Sequence, residues 1–287
     1  METIGEILQI AGQATQERID TEAKRGKIAI GEDGLAYCRI CGEPVQRYIR
    51  WLDLPPRAVP IACKCIRAEE AAWKAKQEAE ERERRRSICF GVGEGLARLE
   101  GATFATDGGK NPEQKRQGEA YVARFPDMRD AGQGLLLCGG VGTGKSHLAA
   151  QISNALIDKG YRVYFATVGR IQADTASGYL DDRAEYIRSL NAYDLLVLDD
   201  LGAERGTEYM QELMFSVVDG RYSTGKPLIV TTNASVQDMK TPKTQMQERI
   251  YDRVLQMCFP IRFDGGSLRR EDTKTRYYKT QEILQKG

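Results

Sequence analysis

The sequence has very little histidine: His147 is the single one among 287 residues. Hydrolases with a Ser-His-Asp or Cys-His arrangement need a histidine base, so such an enzyme is implausible here. Neither sign of charge predominates, because 42 lysines and arginines balance 41 acidic residues and leave a net charge of +1. Any contact with nucleic acid must therefore come from local patches rather than from bulk charge.

Long apolar runs are absent as well, since none approaches the ~18 residues that a membrane span requires. The beginning, METIGEILQIAGQATQ, lacks a basic segment followed by an apolar block, so we expect no signal peptide. Seven cysteines are present, and the bunching of four of them between residues 38 and 65 is unlike a secreted disulfide scaffold of this length. These features favour a cytoplasmic protein with a metal site and no membrane partner.

Composition divides the chain into three predicted regions. Residues 1–66 join a polar, helix-like stretch to the cysteine cluster, and so short a segment suits a small metal-stapled module. Residues 67–118 begin with RAEEAAWKAKQEAEERERRR, which predicts a solvated charged helix, and continue as a glycine-rich linker. That helix is most simply a spacer; the alternative is that arginines within it contact phosphate. The arginines concerned are Arg82, Arg84, Arg85 and Arg86.

Residues 119–287 alternate predicted strands and helices, which indicates an α/β fold with helices on both faces of a parallel sheet. Apolar runs that predict strands lie at 134–138, 161–165, 194–198 and 227–231. Apolar positions at helical spacing predict helices at 147–158 and 210–218.

A phosphate-binding loop follows the first of these strands, because the sequence GGVGTGKS satisfies G-x-x-x-x-G-K-[ST] between a strand and a helix. Its residues are Gly139, Gly140, Val141, Gly142, Thr143, Gly144, Lys145 and Ser146. The glycines let backbone amides curl around phosphate, Lys145 would reach the β- and γ-phosphates of ATP, and Ser146 would offer its hydroxyl to Mg²⁺. His147 follows within the nucleotide-binding segment, where packing or capping is its simpler role.

Two acids, Asp199 and Asp200, end the predicted strand at 194–198. Four apolar residues followed by an acid form the Walker B arrangement, with the carboxylate at the carboxyl edge of the sheet. Asp199 would bind Mg²⁺, and Asp200 is placed to polarise the attacking water. Asn233 ends the next strand, where its amide would hydrogen-bond the γ-phosphate or orient that water.

The clustered cysteines have the spacing Cys38-x-x-Cys41, then 21 residues, then Cys63-x-Cys65. Four thiolates in two short pairs suit tetrahedral Zn²⁺. A redox-active Cys-x-x-Cys is the alternative, and the second pair argues against it.

Together these residues resemble the AAA+ ATPases, and more narrowly the helicase loaders of DnaC and DnaI type with their IstB-like and DnaA-like relatives. The resembling segments are GGVGTGKSHLA, LLVLDDLGAE, TTN, ERIYDRV and GGSLRR, which span residues 134–270. The resemblance implies a five-stranded parallel sheet, self-association into a ring or spiral, and a zinc module that binds a DnaB-type replicative helicase. It also implies that Asn233 is sensor 1 and that Arg269 is sensor 2.

The resemblance further implies an arginine finger, which reaches the nucleotide of a neighbouring subunit, within ERIYDRV. Arg249 and Arg253 are the candidates, at i and i+4 on the outer stripe of a predicted helix, and we favour Arg253. Only 18 residues follow Arg269, so we expect little or no C-terminal lid.

A segment between the second strand and Walker B, residues 168–179, corresponds in loaders and initiators to the insertion that meets single-stranded DNA. Side chains in it that suit backbone contact or base stacking are Arg170, Thr175, Ser177 and Tyr179. A surface helix with a packed tyrosine is an equally good interpretation.

The leading functional hypothesis is therefore ATP-dependent loading of a DnaB-type helicase onto single-stranded DNA during replication initiation. Three alternatives remain open: an IstB-like ATPase that serves a transposase, a small-molecule kinase, and a nucleotide-gated adaptor with little turnover. The adaptor stays open because position 200 is Asp rather than Glu.

Overall fold

The computed structural model describes residues 21, 26–50, 56–91, 96–106, 108–176, 183–202 and 208–285. Within these ranges, the side chains at 97, 269, 271, 272, 274–276 and 279 are not described. The helix-like stretch near the start of the chain therefore lies largely outside the described residues, as do Ser177 and Tyr179. The chain forms two compact units, residues 1–80 and residues 81–287, and the division falls inside the charged helix.

The first unit contains two small antiparallel hairpins. β1 (Ile28–Ile30) pairs with β2 (Ala36–Cys38), and β3 (Gln46–Ile49) pairs with β4 (Arg57–Pro60). The buried apolar residues of this unit, among those the structure describes, are Ile28, Ala36, Cys38, Val45 and Cys63. An apolar core this small does not stabilise a fold alone, so the cysteines within it must contribute more than burial.

The charged segment forms a single helix, α1 (Lys64–Phe90), as its sequence predicted. Arginines near its end have partners within the chain: Arg84 and Arg85 pair with Glu81, and Arg86 pairs with Asp158. These contacts favour a structural role over phosphate binding. The last residue, Phe90, is buried in the second unit, with its ring 5.4 Å from that of Phe165.

Residues 96–118, which composition assigned to a linker, are packed into the second unit. They form α2 (Ala97–Glu100), a 3-10 turn (Phe104–Thr106) and the start of α3 (Pro112–Ala123), which α4 (Phe125–Asp130) follows. Leu96 and Ala102 are buried. The amide of Asn154 donates to the carbonyls of Leu99 and Ala102 at 3.1 and 2.9 Å. The described part of this segment is therefore packed against the core and is not a flexible connection.

A five-stranded parallel sheet forms the centre of the second unit, in the order β6-β7-β8-β5-β9. Its strands are β5 (Gly134–Gly139), β6 (Val163–Thr167), β7 (Leu195–Asp199), β8 (Leu228–Thr232) and β9 (Cys258–Phe263). The four strands identified from apolar runs are confirmed. β9 carries Pro260, which cannot donate to a ladder, and it lies at the sheet edge, where that loss is tolerated.

Helices cover both faces of the sheet, which confirms the predicted fold class. They are α5 (Lys145–Asp158), α6 (Val168–Ala176), α7 (Arg183–Asn191), α8 (Glu208–Ser223), α9 (Val236–Met239), α10 (Gln245–Met257) and α11 (Leu268–Gln285). After β9 the described residues form the one helix α11. Among the described residues, no helix combines the length and apolarity that a membrane crossing needs.

Arg221 on α8 is fully buried and holds together the segments that lead into two central strands. Its guanidinium donates to the carbonyls of Tyr193 and Asp194, just before β7, at 2.9 and 3.3 Å. It also donates to the carbonyl of Pro227, before β8, at 2.6 Å. Burial lowers the pKa of Arg221 to about 10, and the ring of carbonyl acceptors offsets part of the cost of burying its charge.

Replacing Arg221 with leucine should lower the free energy of unfolding by about 3 kcal/mol, because several buried carbonyls lose their donor at once. Urea denaturation of the full chain measures this. Arg129→Ala is the control, since Arg129 makes an exposed ion pair with Asp130 at 3.3 Å and should change stability by less than about 0.5 kcal/mol. Equal midpoints for Arg221→Leu and the parent chain would contradict the structural role.

Candidate functional sites

The first candidate site lies at the carboxyl end of β5, where the chain turns through residues 139–144 into α5. Gly139 has φ +149, and a Cβ there would lie 2.3 Å from the carbonyl oxygen of Phe263. Gly144 has φ +108, and its Cβ would lie 2.8 Å from Asn111 Nδ2. Only glycine fits both positions without moving the neighbouring chain. The turn therefore forms an open cradle at the N-terminus of α5, as an anion site requires.

The remaining loop residues either hold this cradle or line it. Thr143 is buried, and its hydroxyl donates to the carbonyl of Gly140 at 2.9 Å. Asn111 Nδ2 donates to the carbonyl of Thr143 at 2.9 Å. Val141 is exposed at the tip of the loop. These bonds fix the loop in shape before any ligand is bound.

Lys145 places its ammonium inside the cradle. Its Nζ donates to the carbonyls of Gly139 and Gly140 at 2.8 and 2.7 Å, and to Asn233 Oδ1 at 2.9 Å. A buried ammonium surrounded by neutral carbonyls favours a negatively charged ligand beside it. The cradle and its cation thus fit the phosphates of a nucleotide.

The two acids at the end of β7 occupy different environments. Asp199 is buried, which raises the pKa of its carboxyl, while hydrogen bonds from Thr231 and Ser146 act in the opposite direction. Asp200 is the only non-glycine residue with positive φ in the described part of the chain, at +66°. Asn233 Nδ2 lies 3.4 Å from Asp200 Oδ1. The predicted residues Lys145, Asp199, Asp200 and Asn233 therefore meet at one edge of the sheet.

The hydroxyl of Ser146 lies near the carboxylate of Asp199, where it acts to lower the pKa of that carboxyl. Hard oxygen donors of this kind are what Mg²⁺ takes from proteins, usually with water and substrate phosphates completing its shell. The pair fits the predicted magnesium site beside the phosphate cradle.

One wall of the site comes from a segment that sequence analysis did not assign to it. A pocket beside the cradle is lined by Lys110, Asn111, Gln114, Lys115, Gly144, His147, Leu148, Gln151, Phe263 and Leu268. His147 is half-buried there, in the first turn of α5, which suits a lining role better than a catalytic one. No motif marks residues 110–115, because they reach the loop only through the fold.

The last helix begins directly on the phosphate-binding loop. The backbone amide of Leu268 donates to the carbonyl of Gly142 at 2.9 Å. Arg269 is the next residue, and its side chain lies outside the described atoms, so its sensor 2 role stays a prediction.

The two candidate finger arginines share an aromatic neighbour on α8. Arg253 is half-buried; its Nε donates to Asp219 Oδ1 at 2.6 Å, and its guanidinium lies 4.8 Å from the Phe215 ring centroid. Arg249 is exposed, with its guanidinium 4.3 Å from the same ring. Asp219, rather than an acid on α10 itself, is thus the partner of Arg253.

Arg170 has a role that the sequence did not suggest. Its guanidinium donates to the carbonyls of Cys89 and Phe165 at 2.8 and 2.9 Å, and to that of Ile88 at 3.2 Å. Arg170 therefore satisfies carbonyls in the last turn of α1, where a cation is favoured, instead of presenting itself to DNA. Thr175 is also engaged locally, donating to the carbonyl of Ile171 at 2.8 Å.

The second candidate site is the cysteine cluster of the first unit. The sulfurs of Cys38, Cys41, Cys63 and Cys65 all lie within 4.8 Å of one another, and none is in a disulfide. Four thiolates around Zn²⁺ at about 2.3 Å have sulfurs about 3.8 Å apart, so the cluster fits a tetrahedral zinc ion.

Local hydrogen bonds prepare this cluster for a cation. A hydrogen bond from the backbone amide of Glu43 lowers the pKa of the Cys41 thiol to about 7. The hydrogen bond between Cys65 and Cys41 raises the pKa of the Cys65 thiol to about 12. Thiols this close cannot all ionise unless a cation balances them. The carboxylate of Glu43 also accepts from the amide of Lys64 at 2.6 Å and so caps the start of α1.

Comparison with known families gives a match for part of this chain. The profile of the IstB-like ATP binding protein family matches residues 122–276, slightly more than half of the chain. That range contains the phosphate-binding loop, both acids and Asn233, and it does not include the cysteine cluster.

Three curated relatives share this part of the sequence. The chain is 32% identical over 123 residues to the replicative helicase loader DnaC of Escherichia coli, covering 42% of this chain and 49% of that protein. It is 30% identical over 149 residues to the replicative helicase loader DnaI of Bacillus subtilis, covering 48% of each. It is 32% identical over 143 residues to a putative ATP-binding protein in an insertion sequence of Mycobacterium tuberculosis, covering 49% of this chain and 57% of that one. The chain thus matches about half the length of these relatives.

Among solved structures, a crystal structure of DnaI superimposes with a TM-score of 0.51 at 22% identity. The match covers 64% of this chain and 98% of that one, and it shows the same fold.

Protein purified without chelator should contain about one zinc ion per chain, and Cys63→Ser should lose it, because the tetrahedral set is then incomplete. Elemental analysis of the full chain measures both. Cys258→Ala is the matched control, since Cys258 is a buried thiol of β9 outside the cluster. Parent protein without zinc, or a Cys63→Ser chain that keeps it, would refute the site.

Proposed function

The chain belongs to the family of IstB-like ATP-binding proteins, and we propose that it is an ATPase that loads a DnaB-type replicative helicase onto single-stranded DNA. The proposal assigns nucleotide turnover to the site around Lys145 and helicase binding to the cysteine unit. It also assigns self-association to the ATPase unit, so that one subunit completes the site of the next.

The observation that carries the proposal is the thiolate cluster, a second built site on the same chain as the phosphate cradle. The ATPase part is common to relatives named as helicase loaders and to one from an insertion sequence, so it does not separate these functions. A loader must grip a protein partner while its nucleotide site cycles. A separate metal-held unit joined to the ATPase through α1 suits that task.

Nucleotide binding must move the Lys145 side chain, because its ammonium now bonds to the carbonyls of Gly139 and Gly140. As Lys145 turns to the phosphates, Asn233 Oδ1 loses its donor and becomes available to accept a hydrogen bond from the attacking water. Asp200, 3.4 Å from Asn233, is placed to orient and deprotonate that water. Mg²⁺ held near Ser146 and Asp199 would neutralise charge that develops on the phosphates.

A second candidate function is assistance to a transposase. The relative from a Mycobacterium tuberculosis insertion sequence favours it, at 32% identity over 143 residues. The ATPase chemistry would be the same, and only the protein partner would differ.

The test is helicase transfer. The full chain is mixed with the DnaB-type helicase of its own host, ATP and circular single-stranded DNA coated with single-strand-binding protein, and helicase unwinding is measured. We expect unwinding to require the chain and ATP. Asp200→Asn should bind ATP and the helicase yet slow ATP turnover about 10²-fold or more, because an amide cannot accept the water proton.

Cys63→Ser is the companion variant for this experiment. It should keep ATP turnover and lose the helicase complex on size-exclusion chromatography. If the chain forms no complex with the helicase but binds a transposase of the same host, the second candidate is correct. If the Asp200→Asn variant loads helicase at the parental rate, the chain is a nucleotide-gated adaptor and the hydrolytic role assigned to Asp200 is wrong.

We expect Arg253 to act on the nucleotide of a neighbouring subunit. Its hydrogen bond to Asp219 would break when it does so. Arg253→Ala should then bind ATP normally while its DNA-stimulated turnover falls about 10³-fold, the size of effect known for arginine fingers. Steady-state turnover against protein concentration measures this. Mixing Arg253→Ala with Lys145→Ala protein should restore some activity, because the arginine of one faces the intact loop of the other.

Arg249→Ala is the matched control, one helical turn away and in contact with the same Phe215 ring. If DNA-stimulated turnover falls more in Arg249→Ala than in Arg253→Ala, Arg249 is the arginine finger and Arg253 is not. Turnover that is independent of protein concentration, of DNA and of both arginines would favour the kinase alternative.

A further inference from the structure

We propose that Thr231 is a positioning residue for both acids of the nucleotide site. Its single hydroxyl fixes the carboxylate of Asp199 and the backbone of Asp200 at the same time. The inference rests on the proposed ATPase function, and it adds a residue that neither the loop motif nor the acid motif contains.

The two partners of the Thr231 hydroxyl determine which hydrogen bond it accepts and which it donates. The amide of Asp200 donates to Thr231 Oγ1 at 2.8 Å, and an amide N–H can only donate. The hydroxyl proton is therefore directed to its second partner, Asp199 Oδ1, at 2.7 Å. One oxygen of Asp199 is thus held by Thr231, which restricts rotation of the carboxylate.

The sheet register explains why residue 231 reaches these acids. Leu198 lies opposite Val230 in the parallel ladder between β7 and β8, so the next residues along each strand are Asp199 and Thr231. Thr231 is fully buried. Because threonine is branched at Cβ, its χ1 is restricted, which keeps the hydroxyl at one place. A buried, stiff hydroxyl is well suited to orient a metal-binding carboxylate.

Asp200 depends on the same hydroxyl through its backbone. Its φ of +66° is uncommon for a residue with a side chain and persists only where neighbours enforce it. The bond from its amide to Thr231 Oγ1 is one such constraint, and the bond from the amide of Leu201 to the carbonyl of Thr231 at 2.9 Å is another. Removing the hydroxyl leaves only the main-chain bond, so Asp200 can turn away from Asn233.

Thr232 provides a matched control in the adjacent position. It is also buried, and its hydroxyl makes bonds of similar length, donating to the carbonyl of Leu201 at 2.7 Å and accepting from the amide of Ala234 at 3.1 Å. Both partners are backbone groups, and neither acid side chain is touched. Removing the Thr232 hydroxyl therefore leaves buried backbone groups without a partner, as Thr231→Val does, but it keeps the contact between Thr231 and Asp199.

The experiment compares Thr231→Val, Thr231→Ser and Thr232→Val in the full chain. Binding of Mn²⁺, as a probe for the divalent ion, is measured by electron paramagnetic resonance with ADP present, and nucleotide affinity is measured without metal. Thr231→Val should weaken Mn²⁺ binding 10-fold to 100-fold, the loss typical when the support of a metal ligand is removed. Its metal-free ADP affinity should stay within about twofold, since the phosphate cradle is intact.

Two further variants show whether loss of the Thr231 hydroxyl causes the weaker Mn²⁺ binding. Thr231→Ser should return Mn²⁺ affinity to near the parental value, because it restores the hydroxyl, and Thr232→Val should keep it. Thr231→Val should also lower kcat at saturating metal, because Asp200 is no longer fixed. If Thr231→Val does not fold, Thr231→Ala supplies the second hydroxyl-free variant.

Equal Mn²⁺ affinities in the parent and Thr231→Val would overturn the proposal, as would equal losses in Thr231→Val and Thr232→Val. Asp199→Asn separates this failure from failure of the underlying function. If Asp199→Asn weakens Mn²⁺ binding while Thr231→Val does not, only the role of Thr231 is wrong. If neither variant weakens it, the magnesium assignment of the proposed ATPase site is wrong.

Discussion

The parallel register between β5 and β8 is the constraint on which the nucleotide site depends. Cys138 lies opposite Thr232, so the phosphate-binding loop starts beside Asn233 and Lys145 can reach its amide oxygen. β7 pairs with the other side of β8 and brings its two acids to the same edge. A slip of one residue would turn every side chain of β8 to the opposite face, and the site would lose Asn233 and Thr231 together.

Features that depend on neighbouring residues were predictable from sequence. The phosphate-binding loop is one continuous segment in which glycine is required at particular backbone angles, as the positive φ of Gly139 and Gly144 shows. Walker B is an apolar strand followed by an acid, and both parts are local. The cysteine pairs were recognisable because each pair is nearly contiguous, and the structure adds that the two pairs meet.

Contacts between distant residues were not predictable, because a single sequence contains no record of register or packing. Arg170 reaches the carbonyl of Cys89, 81 residues earlier, and so looked free in the sequence. β9 was missed because Pro260 argues against a strand unless its edge position is known. Residues 96–118 resemble a linker by composition, yet the amide of Asn154 and their buried apolar side chains hold them to the core. The two hydrogen bonds of Thr231 likewise appear only when β7 and β8 are paired.

The cap that Glu43 provides links metal occupancy to helix order. Glu43 follows the first cysteine pair, so its carboxylate is held near the amide of Lys64 only while the turn between Cys38 and Cys41 keeps its shape. Oxidation of these thiols would therefore leave the Lys64 amide without the carboxylate that now caps it, and the first turn of α1 would fray. The cysteine cluster and the first turn of α1 are thus coupled through Glu43, so a change at the thiols is transmitted to the start of the charged helix.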